Sequence, residues 1–128
     1  MPPSHWDTHQ LEAKIIKILD VKSRHRYHSR RPFMTPYQIA IRLDEQQHDV
    51  VESIGTPIGG EGTGQHNSLA QYIARELSKR IKNGTISNVG IAFLYSGNLK
   101  TLEYKHGSRT IKNSLGKSWN LSMYRLVD

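Results

Sequence analysis

The hydrophobic period changes at Gly84, and this change constrains the fold more than any other feature of the chain. Before it, apolar residues recur at three- and four-residue intervals, the spacing that lines one face of a helix. After it, short apolar and aromatic runs alternate with turn formers, the pattern of strands. Helices followed by strands, rather than helices alternating with strands, predict an α+β fold.

The helical part divides into three stripes. In DTHQLEAKIIKILDVK, Leu11, Ile15, Ile18 and Leu19 share one face, and Asp7 or Thr8 can cap the start, so a helix is expected over 8–22. In TPYQIAIRLDEQQ, Thr35 is an N-cap, Pro36 suits the first helical position, and Gln38 completes a capping box. That helix is expected to run to Glu45, with HDVVESIG adding a short helical or extended piece. In LAQYIARELSKRIKNG, Leu69, Tyr72, Ile73, Leu77 and Ile81 form the third stripe, capped by Asn67 or Ser68 and ended at Gly84, which gives a helix over 68–83. Beyond it, IAFLYSG and LKTLEYKHG read as a hairpin turning at Ser96, Gly97 and Asn98, and LSMYRLVD as a third strand. The stretch between them, SRTIKNSLGKSW, reads as a basic loop. The segmentation is a flexible N-terminus over 1–7 and one domain over 8–128, with a Gly-rich joint at 55–67.

Charge is segregated along this order. The net charge is +7, and residues 35–64 hold one base and five acids while residues 65–128 hold ten bases and three acids. A basic flank on each side of an acidic centre favours a polyanionic partner, above all nucleic acid. The chain has no cysteine, so disulfides and thiolate metal sites are excluded. No apolar run is long enough to cross a bilayer, and MPPSHWDTHQ lacks the basic-then-apolar pattern of a signal peptide; a cytoplasmic protein with no membrane partner is expected.

Three helices followed by a hairpin, together with MTPYQIAIRL, resemble the winged helix-turn-helix superfamily. Thr35, Gln38, Ile39 and Ala40 fill the second-helix pattern [ST]-x-x-[EQ]-[IL]-A. The resemblance implies a winged-helix-like fold of three helices and a small antiparallel hairpin or sheet, with helix 68–83 inserted in the major groove of double-stranded DNA. It also implies a wing on the phosphate backbone, and a small transcriptional regulator, often a homodimer, as the function. The sequence departs from the family in its long connection, residues 46–67, between the second and third helices.

The side chains of those segments suit the role. Gln65, His66, Asn67, Ser68 and Gln71 offer amides, hydroxyl and imidazole at the helix start, and Arg75, Lys79, Arg80 and Lys82 follow. Gln and Asn pair with adenine and Arg with guanine, while lysines meet phosphates. Lys105, His106, Arg109, Lys112 and Lys117 are the wing candidates, and Arg24, Arg26, Arg30 and Arg31 form a second basic stretch able to track the backbone. The glycines and helix start could also hold a phosphate.

Enzyme chemistry is less well supported, and a non-enzyme with no cofactor and no metal is expected. Gly59 and Gly64 have P-loop glycine spacing, but Gln65 and His66 stand where Lys and Ser/Thr are required. His5 and His9, or His25 and His28, have ligand spacing without a third ligand. Glu103-Tyr104-Lys105 is an E-x-K motif of the kind used by Mg²⁺-dependent nucleases, without an acid on the preceding strand. A protein-interaction adaptor using the acidic segment 44–61 is the alternative from another class.

Overall fold

Thr35 begins its helix as its neighbours dictate. Its Oγ1 accepts the Gln38 N–H at 3.3 Å, and the Gln38 side chain accepts the Thr35 N–H at 2.8 Å. Two otherwise orphaned donors are thus satisfied, and Pro36 occupies the first turn without needing one.

The computed structural model describes residues 4–21, 31–59, 68–114 and 121–127. In chain order these form α1 (His5–Thr8), α2 (Leu11–Leu19), α3 (Pro36–Gln46), α4 (His48–Ile54), α5 (Leu69–Lys82), β1 (Val89–Leu94), β2 (Thr101–His106), β3 (Arg109–Ser114) and β4 (Leu121–Leu126). The α+β class is as expected, with five helices among the described residues where three were expected.

The first expected helix is two. Gln10 adopts the left-handed conformation (φ 52°, ψ 48°), which breaks the run between α1 and α2. Ser4, not Asp7 or Thr8, caps α1 by accepting the Asp7 N–H. α1 places Trp6 in the core. The Trp6 backbone N–H donates to the Tyr72 hydroxyl at 3.0 Å.

Leu11, Ile15 and Leu19 of α2, Ile39 and Leu43 of α3, and Leu69, Ile73 and Leu77 of α5 are fully buried together. Each such side chain contributes about 1.5–3 kcal/mol by leaving water. The long connection does not keep α3 and α5 apart: they form the most extensive helix–helix contact. Gly55 ends α4 in the left-handed region (φ 81°), and residues 57 and 58 then lie against the start of α5. Of the Gly-rich joint at 55–67, residues 60–67 lie outside the described residues.

The strands sit where expected but pair differently. A turn does form at Ser96–Leu99, where the Leu99 N–H donates to the Ser96 carbonyl, and Asn98 has φ 68°. The strands on its two sides do not pair with each other. β1 is antiparallel to β4, from Val89↔Leu126 to Leu94↔Leu121, and β2 is antiparallel to β3, from Thr101↔Ser114 to His106↔Arg109. The expected hairpin of 91–97 with 99–107 is therefore corrected. Packing decides the partners. Tyr104 of β2 and Ile111 of β3, directly opposite each other, are both buried on the side of α3, whereas Val89 of β1 is buried on the side of α5. The expected basic loop is in part strand β3. Its connection to β2 is a two-residue turn with Gly107 at positive φ (62°) first, a hairpin geometry.

Tyr124 on β4 links the layers. Its backbone N–H and C=O exchange 2.8 Å bonds with Met34, just before α3. Its hydroxyl lies 2.7 Å from Ser78 Oγ and 3.2 Å from the Ala74 carbonyl on α5.

Candidate nucleic-acid interface

Helix α5 buries Leu69, Ala70, Ile73 and Leu77, and that stripe determines what faces outward. Gln71, Arg75, Lys79 and Lys82 are all exposed, at intervals of four, four and three residues, and so share one face. Arg75 also approaches the Tyr72 ring, at 6.0 Å.

Arg80 points elsewhere. Its guanidinium lies 2.6 Å from Glu76 and 4.5 Å from the centre of the Trp6 ring, with only 16% of the side chain exposed. It closes the core edge and neutralises the one acid of the helix. Ser68 is buried as the N-cap and accepts the Gln71 N–H at 3.1 Å. The Leu69 N–H donates to the Pro57 carbonyl and the Ala70 N–H to the Ile58 carbonyl. The N–H groups of Leu69, Ala70 and Gln71 are thus engaged and are not offered to a phosphate, while residues 60–67 of the glycine-rich stretch lie outside the described residues. Gln65, His66 and Asn67 lie outside the described residues.

The β2–β3 hairpin carries the second basic group. Lys105, Arg109 and Lys112 are exposed, and Lys112 lies 3.8 Å from Glu103, its cross-strand partner. These cations are displayed by paired strands, not by the flexible loop the sequence suggested. His106 turns the other way: its Nε2 is 2.8 Å from Asp44 Oδ2 on α3. Tyr104 stacks flat on Tyr37 of α3, centroids 5.2 Å apart and planes 7° from parallel. Burial raises the pKa of both phenols above the ordinary value; Tyr104 adds to the rise at Tyr37, whereas polar contacts with Thr35 and Asn113 oppose it at Tyr104. The hairpin is thus seated on α3 by a ring stack and a polar link. A cleft of about 630 Å³ remains at its edge, lined by Asp44, Val51, Ile58, Arg109 and Lys112 among others.

Asp44 serves two histidines at once. His48 Nδ1 stands 2.8 Å from Oδ1, while His106 holds Oδ2. Burial pushes the carboxyl up, but the hydrogen bonds from His48 and His106 and the attraction to both rings outweigh it, and its pKa falls below the ordinary value. The His48 pKa rises, chiefly through its bond to Asp44.

Arg31 pairs with Asp20 at 2.8 Å, and Arg24, Arg26, Arg30 and Lys117 lie outside the described residues. Of the acidic segment, Glu45, Asp49 and Glu52 are exposed, Asp44 is drawn inward, and Glu61 is outside the described residues. Glu103 and Lys105 of the E-x-K motif both face solvent. Among the described residues, no group of three or more His, Asp or Glu could hold a metal ion. No helix of the described residues is long and apolar enough to cross a membrane.

Two features escaped sequence reading. The Asp44–His106 link joins residues 62 apart, and no local signal announces it. Phe93 and Tyr95 are strongly exposed, at 63% and 71%. A signal for them did exist: in IAFLY, apolar residues occupy both parities, so a strand with one covered face must leave some of them in water. Comparison of the chain with protein-family models, with curated proteins and with solved structures found no match.

Proposed function

We propose that the protein binds double-stranded DNA as a winged-helix-like regulator, with α5 as the helix that enters the major groove. The observation that carries this reading is the α5 stripe, where Gln71, Arg75, Lys79 and Lys82 are exposed on one face and the only acid of the helix is tied to Arg80. Gln71 and Arg75 have the chemistry to read base edges; Lys79 and Lys82 have the chemistry to meet phosphates. The packing of α3 on α5 supports the reading, since it is the arrangement a helix-turn-helix requires despite the long connection. The β2–β3 hairpin supports it as the wing, through Lys105, Arg109 and Lys112.

Phosphate contact by several cations makes affinity fall steeply with salt. Fluorescence anisotropy on a pool of genomic duplex fragments, repeated across a salt series, measures this. Binding is expected at low salt, and Lys79→Ala should weaken it uniformly across sequences while lowering the salt slope by about 1. Absence of binding at low salt would overturn the proposal.

A further inference from the structure

Strand β1 places Ile91 and Phe93 on one side, Tyr95 follows immediately after its end at Leu94, and all three are exposed. The ladder shows which side this is. Ile91 stands opposite Tyr124 and Phe93 opposite Ser122, so these side chains share the face on which Tyr124 reaches Ser78 and Ala74 of α5. The chain here runs back along the helix. The Ile86 N–H bonds to the Arg80 carbonyl, and Ile91 is across from Tyr124 at Ser78 and Ala74. Along this heading Phe93 is the next residue of the face toward the N-terminal half of α5, where Gln71 and Arg75 begin the exposed stripe, and Tyr95 follows just past the strand end.

The Tyr95 ring has a defined resting place. A β-carbon at Gly97 would overlap the ring, so the side chain lies back against the glycine and presents its other side to solvent. Around the aromatic pair the charge is one-sided. Helix α5 and strand β1 contain a single acid, Glu76, held by Arg80, whereas Arg75, Lys79 and Lys82 are exposed. A second copy of the chain would bring the same cations alongside; a polyanion would be attracted.

We infer that Phe93 and Tyr95 form a stacking platform for unpaired nucleobases, adjoining the duplex-binding stripe. Aromatic rings beside cations bind single strands because any base offers a π-face while its phosphates meet the charges. The inference rests on the nucleic-acid reading above and sharpens it. Paired base edges and phosphates suffice for α5, whereas exposed rings at the end of β1 select DNA with an opened or single-stranded segment next to the duplex.

The test uses labelled probes in fluorescence anisotropy: a blunt duplex, the same duplex with an oligothymidine tail, and free oligothymidine and oligouridine strands. The tailed duplex should bind about tenfold more tightly than the blunt one. The Phe93→Ser/Tyr95→Ser double variant should lose that advantage and keep blunt-duplex affinity; both side chains are exposed, so its thermal midpoint should match the parent. Gly97→Ala, which displaces the Tyr95 ring without deleting it, should lose part of the advantage. Lys79→Ala/Lys82→Ala should weaken every probe. An advantage that is absent, or that survives the double variant, overturns the stacking platform and leaves the duplex reading standing. Binding of free strands but not of the blunt duplex supports the platform and overturns major-groove insertion, and the thymidine and uridine arms identify the strand. Binding of no probe overturns both. Self-association in sedimentation that the double variant relieves assigns the rings to a second copy and overturns the platform.

Discussion

At the scale of single residues, Asp44 carries the clearest consequence. It is the carboxylate on which His48 from the next helix and His106 from the hairpin converge. The charged groups near the two rings are Glu52 and Asp49 beside His48, and Arg109 opposite His106 in the ladder. Because the Asp44 pKa is lowered from 3.8, its contribution to stability is present above that value and is lost as pH falls toward the lowered one. Because the His48 pKa is raised from 6.5, its contribution is complete below that value and is lost as pH rises through the raised one. The pair therefore stabilises the fold most between 3.8 and 6.5. Asp44→Asn should cost on the order of 1 kcal/mol in that window and flatten the acid limb of a plot of thermal midpoint against pH. An unchanged profile would show that the cluster is not coupled to folding.

Secondary-structure elements were legible in the sequence wherever their signals are local. Thr35, Pro36 and Gln38 mark the start of α3 within four residues, and Thr35→Ala should lower stability by about 1 kcal/mol, read as a shift of the urea midpoint with unchanged slope. The α5 stripe was equally legible, since its buried and exposed faces follow from one period. The break at Gln10 was not, because glutamine has no special preference for the left-handed region and the apolar stripe simply resumes at Leu11. Strand positions were readable from alternation, but alternation is the same whichever partner a strand takes. The turn at Ser96–Leu99 is real, yet it redirects the chain instead of closing a hairpin. The inward turn of His106 follows from the parity it shares with Tyr104, as the outward turn of Lys105 follows from the opposite parity; what could not be foreseen is its partner Asp44, far away in sequence.

Across the whole molecule, the connection between β1 and β4 has built a second ladder within itself and laid it on α3. That nesting also orders events in time. The β2–β3 pair closes through two residues and can form in microseconds, whereas pairing Val89 with Leu126 requires a long loop to close first. Once the inner hairpin has formed, it takes up most of that loop and brings β4 back toward β1. The nucleus of refolding is therefore expected in the hairpin, even though the larger apolar core belongs to the helices. Gly107 isolates the effect: its φ of 62° disfavours any other residue, and nothing lies near where a side chain would go. Gly107→Ala should cost about 1 kcal/mol and, in stopped-flow refolding, slow the folding rate about fivefold while hardly changing unfolding. A turn outside the helices would then govern how fast their core is sealed.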